Sequence, residues 1–323
     1  MTDPQNVDLE ALFGAGTVPN PLSTAAGCAG FGRELARFVP LDQLGTLTTR
    51  TVLPRAGAGQ PGPRVVRTPG GLLNAIGHQN PGIDAFLRRD LPWLAERAVR
   101  TVVSIGGHRL EEFADLAGRL AGARGVHGLE LNLSAPGAAA RGLLFAANPA
   151  VSYDVVAAVK AAAPGLPVYA KLAPDTGTIT EVAAGCVAAG ADGLAMVNTA
   201  QGLAIDLDSC RPALAAGVGG LSGPALRPIA VRCVYQVHAA MLAGRMPAVP
   251  ILAMGGVRTG RDALEFTLAG ASGVAVGSEL LRDPTAPLRI LDELRGELAA
   301  RDFTKYTDAV GLAHRTTSKD TDD

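Results

Sequence analysis

Two glycine-bearing segments and one lysine carry the clearest chemistry in this chain. Met254-Gly255-Gly256-Val257 and Val276-Gly277-Ser278 each close a short apolar run. Glycines there let backbone N–H groups approach a phosphate closely, and the Ser278 hydroxyl adds a donor. Either segment alone could serve only a tight turn; together they favour a phosphate cradle. Lys171, in Val168-Tyr169-Ala170-Lys171-Leu172, stands where the inward position of an apolar strand is ordinarily aliphatic. A buried lysine is costly unless it is paired or binds an anion. Aimed into a pocket, its charge could stabilise the pyrimidine edge of a reduced flavin. The alternative is a lysine that reaches a partner carboxylate.

Asn132 and Asn198 close two further apolar runs, and Asn74 sits in Leu73-Asn74-Ala75-Ile76-Gly77. Each amide offers a donor pair and an acceptor, which suits a flat heterocycle with imide and carboxylate groups. Taken singly, an asparagine at a strand end is as readily a turn former.

The elements that must position these groups are legible in outline. Apolar runs recur at 22–27, 44–51, 101–106, 128–133, 167–172, 193–198, 249–255 and 274–278. Alanine-rich amphipathic stretches lie between them at 111–121, 153–163, 178–189, 226–243 and 261–269. Strands alternating with crossover helices predict a parallel sheet, and eight such strands predict a single (β/α)8 barrel. The glycine segments then end the seventh and eighth strands, where barrels usually hold phosphate. Residues 54–92 and 201–224 read as long loops over the C-terminal mouth. The expected organisation is an N-terminal extension (1–19), a cofactor-binding barrel (20–304) and a polar, frayed tail (305–323).

Composition narrows the function. The 323 residues are 48% hydrophobic and include 40 glycines, enough for one large core. With 29 Lys plus Arg against 30 Asp plus Glu, the net charge of -1 gives no footprint for nucleic acid or an anionic membrane. Cys28, Cys186, Cys210 and Cys233 lack metal-ligand spacing and suggest no disulfide framework. A polar start and the absence of a long apolar run predict a cytoplasmic protein acting on a small molecule.

Longer segments carry a family resemblance. Asn20-Pro21 through Gly27, Thr68-Pro69-Gly70-Gly71 through Pro81-Gly82, and Gly219-Gly220-Leu221-Ser222-Gly223-Pro224 resemble the signature segments of the dihydroorotate dehydrogenases. Leu91-Pro92-Trp93-Leu94 and residues 168–174, 189–198 and 254–271 extend the likeness to about Pro284, in the manner of class 1B catalytic subunits. The resemblance implies an FMN-dependent barrel that oxidises dihydroorotate to orotate. It implies that Lys171 contacts the flavin and that Gly255, Gly256, Gly277 and Ser278 bind its phosphate, with Gly27 and Gly223 close by. It also implies that Asn74, Asn132, Asn198 and Thr199 contact substrate or flavin.

The departures gather around one pocket. The resemblance places a cysteine base where this chain has Ala135, a substrate asparagine at Gly137 and an active-site lysine at Arg50. A methyl group accepts no proton, and a positioned base typically contributes about 10²–10⁴-fold. Arg50 keeps the charge of that lysine but is larger and planar, suited to clamp a carboxylate or the flavin. Ala26 and Cys28 stand where a serine and a threonine are usual, and His78 replaces an apolar residue. The expectation is an FMN-dependent oxidoreductase with an altered site, acting on a different cyclic or carboxylated substrate. One alternative is a dihydroorotate dehydrogenase with a relocated base, for which Ser134, Cys28 and His78 are nearest in sequence. Another is a catalytically silent flavin-binding homologue. The resemblance further implies a homodimer or a larger complex with an iron–sulfur and FAD electron-transfer subunit.

Overall fold

Eight of the apolar runs form the staves of one closed parallel barrel. The computed structural model describes residues 2–134, 145–174 and 177–315. The chain opens with a hairpin, β1 (Ala11–Phe13) and β2 (Gly16–Val18), and enters the barrel through β3 (Leu22–Thr24) and β4 (Thr46–Thr48). Strands β5 (Val65–Thr68) and β6 (Gly71–Asn74) leave it; β7 (Thr101–Ile105), β8 (Val126–Asn132), β9 (Val168–Leu172) and β10 (Gly193–Met196) return. A second excursion runs through β11 (Ala200–Gly202), β12 (Ile205–Asp206), β13 (Arg211–Pro212) and β14 (Gly219–Ser222) before β15 (Ile251–Met254) and β16 (Gly273–Val276) complete the circuit. Each barrel strand pairs with the next barrel strand in sequence, and β16 closes on β3.

The helices are α1 (Ile83–Ala85), α2 (Leu91–Ala95), α3 (Leu110–Leu120), α4 (Pro149–Ala162), α5 (Ile179–Ala188), α6 (Arg227–Leu242), α7 (Gly260–Leu268), α8 (Ala286–Ala299) and α9 (Tyr306–Ala309). Their starts are written locally. The Asn148 side chain accepts from the Ala150 and Val151 amides ahead of α4, with Pro149 in the first turn. Thr259 and Asp262 form a reciprocal capping box on α7.

Alternation along the strands separates two environments. Leu129, Leu131, Val168, Ala170, Leu194 and Val274 join the large cluster built with the helices. Tyr169, Ala195, Leu252, Met254 and Ala275 form a smaller cluster inside the barrel. The N-terminal hairpin plugs this interior: Phe13 stacks on Tyr169 with centroids 5.0 Å apart, and the Gly14 amide donates to the Tyr169 hydroxyl at 2.8 Å.

Two regions differ from the sequence expectation. The long loops at 54–92 and 201–224 are not structureless: β5, β6, β14 and β11 form one antiparallel sheet over the barrel mouth. Their prolines and glycines hid short strands that pair within each excursion, β5 with β6 and β11 with β14, and across the two through β6 and β14. Residues 305–315 are not frayed either. Tyr306 is fully buried, and its hydroxyl donates to the Ala271 carbonyl at 3.2 Å and accepts from Thr267 at 3.1 Å.

Gly71 makes the mouth sheet possible, because a Cβ there would lie 1.8 Å from the Ser222 carbonyl oxygen. Gly71→Ala is expected to destabilise the protein by about 1–3 kcal/mol through overpacking. Gly296, inside α8 with nothing within 4 Å of a Cβ, gives the opposite expectation: Gly296→Ala should stabilise by about 1 kcal/mol. Urea denaturation midpoints of the two variants check both signs.

Candidate active site

A buried ion pair stands at the centre of the barrel mouth. Period-two alternation puts Glu130 and Asn132 on one face of β8, and the register of β8 with β9 sets Asn132 beside Lys171. The Lys171 ammonium meets Glu130 Oε2 at 3.3 Å, with the two side chains 5% and 2% exposed. The lysine therefore reaches a partner carboxylate inside the barrel, the alternative the sequence left open. Glu130 Oε1 is buried and has no hydrogen-bond partner. Sequence reasoning missed Glu130, although its signal was present: a charge two residues before Asn132 in an otherwise apolar strand.

Polar groups run from this pair around the strand ends. Ser104 and Thr51 hydroxyls lie 3.0 Å apart, and Asn132 Nδ2 donates to Thr51 Oγ1 at 3.1 Å. Asn198 Nδ2 donates to Asn132 Oδ1 at 3.4 Å, while Asn198 Oδ1 accepts from the Thr199 amide at 2.9 Å. Asn74 comes down from the mouth sheet, its amide held on the Gly220 carbonyl at 3.1 Å. Thr199 packs so tightly on β14 that a Cβ at Gly220 would lie 2.1 Å from its hydroxyl. Asn74, Asn132, Asn198 and Thr199 thus line one cavity of about 530 Å3, joined by Ser134 and His78.

The three sequence candidates for a base fall in different settings. Ser134 Oγ is buried without a hydrogen-bond partner. His78 faces His108 with ring centroids 5.9 Å apart; burial first, and then the His108 charge, lowers its pKa. Cys28 sits in a neighbouring cleft with Gly27 and Arg50. Burial pushes its thiol up to about 11, against the opposing pull of Lys171 and Arg50. Arg50 is already engaged: it donates to the Gly27 carbonyl at 3.2 Å and to Gln79 Oε1 at 3.2 Å, bridging the end of β3 to the mouth loop. It does not line the cavity of the asparagines. Ala135 and Gly137 lie outside the described residues.

The glycines at the rim form a cradle. Gly255 and Gly256 have φ of +130° and +83°, and a Cβ at Gly256 would lie 2.6 Å from the Gly223 carbonyl. Gly277 follows β16 beside Ala25 and Cys28, and Ser278 begins a single 3-10 turn. A Cβ at Gly27, φ +90°, would meet nothing within 4 Å. Positive φ and backbone crowding at one end, with open space at the other, suit a phosphate and a planar ring.

Comparison with known proteins agrees with this geometry. The sequence model described as dihydroorotate dehydrogenase matches residues 9–298. The chain is 44% identical over 300 residues to the dihydroorotate dehydrogenase B (NAD(+)) catalytic subunit of Desulforudis audaxviator, covering 93% of this chain and 95% of that protein. It is 40% identical to the same subunit of Geobacter sp. strain M21, covering 95% and 98%. It is 42% identical to that of Anoxybacillus flavithermus, covering 91% and 92%. The chain belongs to the dihydroorotate dehydrogenase family, a family of oxidoreductases. Among the described residues, no helix is long and apolar enough to cross a membrane.

Glu130→Leu would strand the Lys171 ammonium inside the barrel and is expected to cost about 3–5 kcal/mol of stability. Combining it with Lys171→Met should recover most of that loss. Denaturant unfolding of the four proteins in the cycle measures the coupling.

Proposed function

We propose that this member of the dihydroorotate dehydrogenase family is an FMN-dependent dihydroorotate dehydrogenase of pyrimidine biosynthesis whose proton acceptor has moved away from position 135. The observation that carries the reading is the convergence of Asn74, Asn132, Asn198 and Thr199 on one cavity, at the strand ends that also present Lys171. Identities of 40–44% with catalytic subunits named for dihydroorotate favour that substrate over the different one expected from the sequence.

The residues present fit FMN. Gly255, Gly256, Gly277 and Ser278 would hold its phosphate, with Gly223 behind them. Gly27 leaves room against a flat ring, and Arg50 and Asn132 would border it. When bound, FMN accepts a hydride from the substrate. Lys171 would place positive charge at the pyrimidine edge, where negative charge grows on reduction, and Glu130 would fix that charge in position. Asn74, Asn132, Asn198 and Thr199 would orient the substrate's imide and carboxylate by directional hydrogen bonds. The relatives are named as NAD(+)-linked catalytic subunits. By extension, electrons would leave this chain through an iron–sulfur and FAD partner subunit.

A second reading, oxidation of another cyclic carboxylated substrate, is favoured by Ala135 and Gly137 in the sequence. Chemistry that removes no carbon-bound proton would tolerate Ala135 best. The FMN-loaded protein, titrated anaerobically with dihydroorotate, is expected to lose its oxidised flavin absorbance, and Ala135→Cys is expected to respond faster. An unaltered spectrum for the native sequence would sink the main reading in favour of the second.

A further inference from the structure

We propose that His78 is the group that accepts the substrate's proton. The proposal rests on the dihydroorotate reading above and assigns the acceptor within it. Among the described residues lining the cavity of the asparagines, His78 is the one side chain that titrates near neutral pH; the others are amides, hydroxyls, glycines and aliphatic groups. The segment after Ser134 brings no substitute. Residues 135–144 read Ala-Pro-Gly-Ala-Ala-Ala-Arg-Gly-Leu-Leu, without a carboxylate, imidazole or thiol.

The competing groups are chemically unsuited. Cys28 lines a different cleft, and a thiol pushed up to about 11 stays protonated at neutral pH. Ser134 Oγ has no hydrogen-bond partner, so nothing beside it takes its own proton on. His78 is held where it can act. Its carbonyl accepts from Asn80 Nδ2 at 2.9 Å, and its ring packs against His108. Burial and the neighbouring imidazole hold it below the ordinary histidine range, so at pH 7 the ring is neutral and offers a lone pair.

His78 also lines an outer cleft with Arg55, His108, Arg109, Glu111, Glu112 and Asp115. The Glu112 carboxylate in that group accepts from the His108 amide at 2.6 Å. His78 therefore stands in the wall between the substrate cavity and a solvent-facing cleft, which gives the proton both an acceptor and an exit. In the reaction, one C–H bond of dihydroorotate breaks with its proton passing to a His78 ring nitrogen. Its electron pair would become the new carbon–carbon double bond as the adjacent carbon gives up hydride, which bound FMN would accept. The protonated ring then releases its proton to the outer cleft.

The base form is the neutral ring. Flavin reduction should therefore be fast above the depressed His78 pKa and fall away as the pH drops through it. Anaerobic stopped-flow reduction of the FMN-loaded protein by dihydroorotate, followed across that range, tests the assignment. His78→Gln is expected to slow reduction by about 10²–10⁴-fold and to abolish the acid limb, with orotate still perturbing the flavin spectrum. Free imidazole should restore part of the rate to His78→Ala. In the oxidised protein, the His78 ring resonance should shift when orotate is added. Native-like rates and an intact acid limb in His78→Gln, with dihydroorotate reducing the unaltered protein, would overturn His78 alone. If dihydroorotate fails to reduce the unaltered protein, the assignment and the reading beneath it fall together.

Discussion

The mouth of this barrel is organised around one charge that has to be kept inside a protein. Lys171 and Glu130 are both nearly excluded from water and meet at 3.3 Å. Removing two ions from solvent costs several kcal/mol each, and their attraction offsets this only with good geometry. The barrel supplies that geometry through hydrogen-bond register, because β8 and β9 cannot slip without turning both side chains to the helix layer. A hydrophobic pair would fill the same space more cheaply. The pair that is retained leaves one carboxylate oxygen, Glu130 Oε1, buried without a hydrogen-bond partner.

From that pair outward, each polar group is oriented by the next. Ser104, Thr51, Asn132, Asn198 and the Thr199 amide form a continuous hydrogen-bonded run across the ends of neighbouring strands. Amides fixed in this way keep their remaining donors and acceptors aimed into the cavity before any ligand arrives, so little reorientation accompanies binding. The interior half on β3 and β4 continues the pattern with Ser23, Thr46 and Thr48, where Thr46 donates to Ser23 at 2.7 Å. The opposite half, on β15 and β16, is apolar through Leu252, Met254 and Ala275.

The barrel was legible in the sequence because its strands are short apolar runs bounded by small residues, each followed by a crossover helix. Gly255, Gly256, Gly277 and Lys171 stood out for the opposite reason: they break the apolar rule at the ends of those runs. What escaped was set by contacts distant in sequence. The strands over the mouth have too little intrinsic preference to be recognised until β6 finds β14, and Tyr306 gives no sign of being a core residue until Thr267 and Ala271 surround it. Arg50 shows the limit of reading charge by position. Its place in the chain suggested a clamp on a ligand, but gave no sign of the Gly27 carbonyl and Gln79 that hold its guanidinium. His108 likewise meets His78 only through the fold, with ring centroids 5.9 Å apart.

The sheet over the mouth joins two excursions that the chain makes far apart, and Asn74 meets Gly220 across 146 residues. Because β6 is paired on both sides, neither excursion can swing aside without breaking a ladder with the other. Insertions or deletions in one are therefore constrained by the pairing it must keep with the other. Changes in what this barrel accepts are expected to arise as paired edits on both excursions, rather than by the free exchange of a single loop that most barrels of this kind permit.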